Sequence, residues 1–275
     1  MKKTLLAMTA ITMTLVGCAP KKTAEPETTK SLVLYYSQTG TTKAVAEEIQ
    51  KLTGADIELV VAQVPYDGTY SETIERCQKE REAGEFALIE PLKSDLNNYD
   101  TIYVGYPVWF GTFARPMETM IKSIDLSGKK VIPFCTFGSG GLNTTSDDLR
   151  RKFPQAEVLE GYGVRTARIG RMPKEIDTFM KRNGYIQGEV QAVGEFSEQK
   201  PVTEAETAIF NAACGDYQFP LGTPLTFGSR DIAEGREYKF TVAAKGMDSS
   251  EAVTTIFVID YNEEGAKPEF TQVVR

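Results

Sequence analysis

A chain of 275 residues, 41% of them hydrophobic, has room for about two domains at ~150 residues each and for a sizeable buried core. Its 31 basic and 38 acidic residues leave a net charge of -7 with no long basic run, which excludes an ordinary nucleic-acid groove and favours basic protein partners. Histidine is absent from the sequence, so Ser-His-Asp and Cys-His catalysis, His-containing zinc sites and an imidazole base are all excluded, and any chemistry is expected to be borrowed from a cofactor.

The first segment has the pattern of a secretory signal: Met-Lys-Lys, an apolar stretch from Leu5 to Val16, then Gly17 and Cys18, with no acidic residue. Its apolar part is too short to span a bilayer of ~30 Å as a helix. Leu15-Val16-Gly17-Cys18 resembles a bacterial lipobox, which implies cleavage before Cys18, lipidation of its sulfur and a stable anchor of two or three acyl chains. An ordinary cleaved signal with an incidental cysteine is the alternative. Loss of residues 1–17 removes Lys2 and Lys3 and no acid, moving the net charge from -7 to -9. Residues 18–30, rich in Pro, Lys, Thr and Glu, contain no large apolar residue and are expected to be a disordered tether. Cys77, Cys135 and Cys214 then remain, an odd number that forbids complete disulfide pairing, and Cys135 sits in an apolar run as a buried small hydrophobe.

From Ser31 to Ser37 the apolar run shows no alternation, as a parallel strand covered on both faces requires. Residues 42–52 place Val45, Ile49 and Leu52 on one helical face. The alternation continues with a strand near Ile57–Val61, a helix over Ser71–Gly84, a strand over Thr101–Tyr106 and a helix near Arg115–Ile124. A strand over Lys130–Thr136, a helix over Ser146–Lys152, a short strand near Glu157–Leu159 and a helix over Pro173–Asn183 follow. Such βα units predict a doubly wound, open parallel α/β sheet with helices on both faces and right-handed crossovers.

In a sheet of this kind ligands sit at the carboxyl ends of the strands, so three loops decide function. The first, Ser37-Gln38-Thr39-Gly40-Thr41-Thr42, offers hydroxyls and the N–H groups of a helix start, a way to hold a phosphate without a cation. It equally reads as a plain turn with a threonine cap. The second, Pro107-Val108-Trp109-Phe110-Gly111 after Tyr106, contains the single tryptophan of the chain, either as a flat wall for a planar ligand or as a cover for the sheet edge. The third, Thr136-Phe137-Gly138-Ser139-Gly140-Gly141, carries three glycines that permit close backbone approach and reads as the far wall of the same cleft.

Through these loops, residues 31–186 resemble a flavodoxin: S-x-T-G-T-T after the first strand, Tyr-Pro-x-Trp-aromatic-Gly after the third and a glycine-rich loop after the fourth. The resemblance implies a five-stranded parallel sheet of order 2-1-3-4-5 and FMN as cofactor, with its phosphate on Ser37–Thr42 and its ring between Pro107–Gly111 and Thr136–Gly141. The third loop departs from many flavodoxins in having no tyrosine to stack on the outer flavin face. An apolar wall without nearby cations is expected to disfavour the anionic, fully reduced flavin.

Beyond the polar stretch Gly184–Pro201, a capped helix begins at Thr203, with strand-like runs at Pro224–Phe227, Glu237–Ala244, Val253–Tyr261 and Phe270–Val274. Residues 195–275 look like a cystatin-type α+β fold, a helix wrapped by four antiparallel strands, with Ile232–Tyr238 near that family's central hairpin. Asp231 stands where the inhibitory motif has glutamine, so a passive module for packing or partner contact is expected rather than a protease inhibitor.

The sequence thus reads as an exported, lipid-anchored FMN protein of a bacterial envelope, facing periplasm or exterior, that carries electrons between redox partners. An FMN-dependent oxidoreductase using NAD(P)H and a quinone is one alternative, and a flavin-free binding protein is another; no metal site is expected.

Overall fold

The computed structural model describes residues 30–215, 217–245 and 251–274. The expected leader 1–17, the lipidation residue Cys18 and the tether up to residue 29 lie outside the described residues. Among those described, no helix is long and apolar enough to cross a membrane.

The first half is a parallel sheet with its helices: β1 (Ser31–Tyr35), α1 (Thr41–Thr53), β2 (Asp56–Leu59), α2 (Tyr70–Glu82), β3 (Thr101–Trp109), β4 (Thr112–Phe113), α3 (Arg115–Ser123), β5 (Lys130–Phe137), α4 (Leu142–Lys152), β6 (Glu157–Val158), β7 (Tyr162–Arg165) and α5 (Met172–Arg182). The parallel path is β2-β1-β3-β5, with β6 and β7 both paired to β5, so the order 2-1-3-4-5 is found with its fifth position split. Only one short strand was expected there. The gap falls opposite Ile132–Pro133, because β6 pairs with Lys130 and Val131 while β7 pairs with Phe134–Phe137, and Pro133 has no N–H to donate across it.

The absence of alternation in β1 follows from burial on both faces. Leu32 and Leu34 join Val104, Met117, Met120 and Leu149 in one core, while Val33 joins Val45, Ile49, Phe134, Ile176 and Met180 in the other. The helix α2 departs from the expected sheet cover. Its Cys77 packs with Ala62, Tyr66, Ala87 and Trp109 in a small separate cluster, so the connection from β2 to β3 builds up beside the second loop. Thr69 and Glu72 form the capping box that starts it.

The second half comprises β8 (Lys200–Pro201), α6 (Glu204–Cys214), β9 (Thr223–Ile232), β10 (Gly235–Lys245), β11 (Glu251–Tyr261) and β12 (Glu269–Val274), an antiparallel sheet of order β12-β11-β10-β9-β8. Thr203 and Glu206 cap α6, whose Phe210 packs with Phe227, Phe240, Ile256, Val258 and Phe270. The four expected strands are present and longer, and the expected hairpin joins β9 to β10. The stretch before residue 200 is not merely polar linker, since the Ser197 N–H donates to Ser229 O at 2.9 Å.

The two sheets meet where β12 runs beside β7. Arg168, almost wholly buried, donates to Glu269 at 2.9 Å and to the Tyr261 hydroxyl at 2.7 Å and also pairs with Glu175. A buried cation so enclosed is strongly held, because removing one partner strands a charge away from water. Arg171–Glu263 at 2.8 Å and Lys174–Glu234 at 3.5 Å extend the contact toward solvent.

Candidate functional site

The three loops singled out by sequence emerge at the carboxyl ends of β1, β3 and β5, which are neighbours in the sheet. In the first, Gly40 takes a left-handed conformation (φ 89°) and starts α1 with no side-chain cap. The expected threonine cap is therefore absent. The first helical bond runs from Ala44 N–H to Gly40 O at 3.0 Å, leaving the N–H groups of Thr41, Thr42 and Lys43 without helical acceptors. No acidic residue stands in that first turn, so its partial positive charge is uncompensated from within.

The side chains of this loop do not all face one ligand. Ser37 Oγ accepts from the Gly40 N–H at 3.2 Å, and the Thr39 and Thr41 hydroxyls lie 3.3 Å apart on the exposed side. Gln38 instead donates through Nε2 to Tyr66 O at 2.7 Å and to Thr73 Oγ1 at 3.0 Å, so its amide N–H groups tie the loop to α2 and its backbone N–H is the donor left for a ligand. Thr42 is buried, its hydroxyl 2.8 Å from that of Thr136, which latches the first loop to the third.

The second region is a hairpin rather than an open loop. The strand β3 continues through Pro107 and Val108 to Trp109, turns at Phe110 (φ 53°) and Gly111 (φ 77°), and returns as β4. Two successive positive φ values make the tight turn that fits the twist of paired strands. For a phenylalanine this geometry costs of order 1–3 kcal/mol, and such strain gathers at binding and switch regions. The Phe110 ring is half exposed, with the Arg81 guanidinium 4.9 Å from its centre. Trp109 is half-buried against Tyr36 (5.9 Å, edge-on) and Tyr66 (5.3 Å, tilted). Both tyrosines were missed in the sequence. Burial pushes the Tyr36 hydroxyl up to about 12, so it stays protonated at neutral pH.

In the third loop the side chains of Thr136 and Phe137 are buried, Phe137 in the main core, and neither offers a wall to a ligand. Gly138 is exposed, and a Cβ on Gly141 would lie 2.6 Å from a methyl of Val108, so the second and third loops touch. The expectation of no nearby cation fails here. Arg165, the last residue of β7 and 8% exposed, donates through Nε to Gly138 O at 2.9 Å. Its Nη1 donates to Phe270 O at 3.1 Å, and its guanidinium carbon lies 3.3 Å from the centre of the Phe270 ring. Burial lowers the Arg165 guanidinium from its ordinary value, and the group remains charged. A basic residue closing the β-like run Tyr162-Gly163-Val164 was the signal available for it.

The second sheet also reaches this loop. The Val273 N–H donates to Ser139 O at 2.7 Å, and the Tyr217 hydroxyl lies 3.5 Å from where a Gly138 Cβ would stand. A cavity of about 710 Å³ opens beside Gly138, lined by Arg165, Tyr217, Lys267 and Phe270 among others. Among the described residues no cluster of acidic, cysteine or histidine side chains could hold a metal ion.

A doubly wound sheet of this order, with three loops converging at its carboxyl edge, defines a class of protein, and comparison with known families assigns it. The flavodoxin family model matches residues 30–172, and the chain belongs to that family. Among solved structures, it is similar to a protein from Bacteroides eggerthii described as a flavoprotein, at 28% identity over 56% of this chain and 98% of the other, with a TM-score of 0.49. A counterpart from Bacteroides uniformis gives 27% identity over 54% and 98% of the two chains, with a TM-score of 0.48. A flavoprotein from Lactobacillus acidophilus, solved in complex with FMN, gives 24% identity over 52% and 98%, with a TM-score of 0.44.

Proposed function

We propose that the chain is an FMN-binding electron carrier of the flavodoxin type, exported and held at a bacterial membrane surface by lipid on Cys18. The observation that carries the cofactor reading is the start of α1, where an uncapped left-handed glycine leaves three N–H groups free beside exposed threonine hydroxyls and no acid. A phosphate dianion fits that donor set, since each bond from a neutral donor to a charged acceptor is worth about 1.5–3 kcal/mol. Ser37, Thr39 and Thr41 would supply hydroxyls, and Thr42, its own hydroxyl occupied by Thr136, only its backbone. Bound FMN supplies electron or hydride transfer. The chain's residues bind and orient: the hairpin at Trp109–Phe110 gives an aromatic edge, and the glycine loop gives close backbone donors.

The second reading, an oxidoreductase that takes NAD(P)H and passes electrons to a quinone, is favoured by the third loop, where Gly138–Gly141 has no tyrosine to cover the outer flavin face. The protein purified as expressed is expected to show flavin absorbance and to release FMN on heating; a colourless preparation that takes up none on adding FMN refutes both readings. Steady oxidation of NADH or NADPH separates enzyme from carrier. For the anchor, Cys18→Ser is expected to release the protein from the membrane fraction or stop its maturation, and an unmodified Cys18 in the mature wild type refutes lipidation.

A further inference from the structure

We infer that the C-terminal sheet and Arg165 form a clamp that orients the N–H groups of Ser139 and Gly140 toward the cofactor, so that Arg165 is a positioning residue for the flavin. The inference rests on the FMN reading and goes beyond it in giving the second half of the chain a role at the site.

It begins with two carbonyls. Gly138 O accepts from Arg165 Nε at 2.9 Å, and Ser139 O accepts from the Val273 N–H at 2.7 Å. Both donors lie on the same side of β5: Arg165 belongs to β7, which pairs with β5 on the side away from β3, and Val273 belongs to β12, which runs beside β7. In a trans peptide the N–H points opposite to its own C=O, and the described residues contain no cis bond. The Ser139 N–H shares its peptide with Gly138 O, and the Gly140 N–H shares its peptide with Ser139 O. Fixing the two carbonyls toward β7 and β12 therefore turns both N–H groups toward β3 and the second loop, where the ring of a bound flavin is expected. Among the described residues neither N–H has a hydrogen-bond acceptor.

The clamp is closely fitted. A Cβ on Gly140 would stand 2.2 Å from Val273 O, so only glycine lets β12 come this near. Arg165 joins the two halves of the chain, giving one bond to the third loop and one to Phe270 O while lying over the Phe270 ring. Its fixed positive charge also polarises the Gly138–Ser139 peptide, strengthening the Ser139 N–H as a donor to an acceptor that gains electron density on reduction.

The test uses the chain from Cys18 onward, stripped of cofactor and titrated with FMN, as wild type, Arg165→Met, Arg165→Lys and Val273→Pro. Val273 lies on an edge strand, where proline removes the outward N–H without breaking a ladder bond. Arg165→Met and Val273→Pro are each expected to weaken FMN about tenfold or more. Arg165→Met should also cost the reduced cofactor on the order of tenfold more affinity than the oxidised one, a fall of ~59 mV for a one-electron couple. Val273→Pro, which keeps the charge, should leave the potential near wild type, and Arg165→Lys should restore it. In the wild type, FMN is expected to protect the Ser139 and Gly140 amides from hydrogen exchange. Wild-type affinity in both Arg165→Met and Val273→Pro, or amides of Ser139 and Gly140 that exchange as fast with FMN as without, overturns the clamp while the cofactor reading stands. A wild type that binds no FMN overturns the cofactor reading itself, and the clamp with it. If Arg165→Met loses its cooperative thermal transition, Val273→Pro and the exchange measurement decide.

Discussion

Two glycines of the third loop, two residues apart, should respond oppositely to the same substitution. At Gly140 an added Cβ would stand 2.2 Å from Val273 O and 3.2 Å from its carbonyl carbon, both backbone atoms that cannot swing aside. At Gly138 the nearest atom would be the Tyr217 hydroxyl at 3.5 Å, an ordinary contact. Neither glycine has a positive φ, so backbone strain does not enter and sterics alone separate them. Gly140→Ala must push β12 away, losing the Val273–Ser139 bond (about 0.5–1.5 kcal/mol) and incurring overpacking of about 1–3 kcal/mol. The expected loss is thus about 1.5–4.5 kcal/mol, and roughly 6–12 °C in Tm near the middle of that range. Gly138→Ala should stay within about 0.5 kcal/mol of wild type. Urea and thermal unfolding followed by circular dichroism measure both. If the two variants differ by less than about 0.5 kcal/mol, β12 does not rest on the third loop, and the reasoning from close approach fails.

Riboflavin, which lacks the phosphate, should bind the cofactor-free protein at least ~100-fold more weakly than FMN, because several charge-assisted bonds are lost together; equal affinities in a fluorescence titration refute the reading of the first loop. Gly40→Val, which forbids the φ of 89° although the space around Gly40 is open, should mimic that loss. The thiols of Cys77 and Cys214 are pushed up by burial to about 11 and about 12, and that of Cys135 is raised further, so none should react with a disulfide reagent at pH 8 until the protein unfolds; fast labelling mapped to any of the three contradicts their burial. Burial works to raise the Glu58 carboxyl, but hydrogen bonds from Ser94 and Lys93 outweigh it and hold the group below its ordinary value. Its contribution to stability is therefore present above the unfolded value of about 4.3 and is lost as pH falls through the folded one. Glu58→Gln should flatten the acid limb of the stability profile below about pH 4.5, and an unchanged limb shows that Glu58 does not contribute to it.

What sequence could deliver depended on the range of the interaction concerned. The unalternating run at β1 and the Thr203–Glu206 cap of α6 are local signals, and both appear as expected. The three loops were located correctly because strand ends are local too. Their internal geometry was not legible. Nothing in Phe110 announces a positive φ, so a hairpin stands where the sequence suggests a loop, and nothing around Gln38 tells that its side-chain amide goes to Tyr66 O and Thr73, far along the chain. The strand β7 escaped because it lies beyond a break from β6, opposite Pro133 on the partner strand, where the sequence suggests one strand only. Arg165 stayed hidden with it, and the Ser139–Val273 bond joins the middle of the chain to its end, a pairing that no local period encodes.

The antiparallel sheet also has two edges, and the chain shields them by different means. At one edge stands β8, only two residues long and made of Lys200 and Pro201, a charged and donor-poor rim that another strand cannot extend. The opposite edge, β12, has six residues including Phe270, Val273 and Val274, the composition that invites a foreign strand. Its protection is tertiary: Val273 N–H and Phe270 O are occupied by Ser139 O and Arg165. Cut from the first half, the second sheet would bare that edge to a foreign strand, so the shielding of β12 is a property of the two halves together.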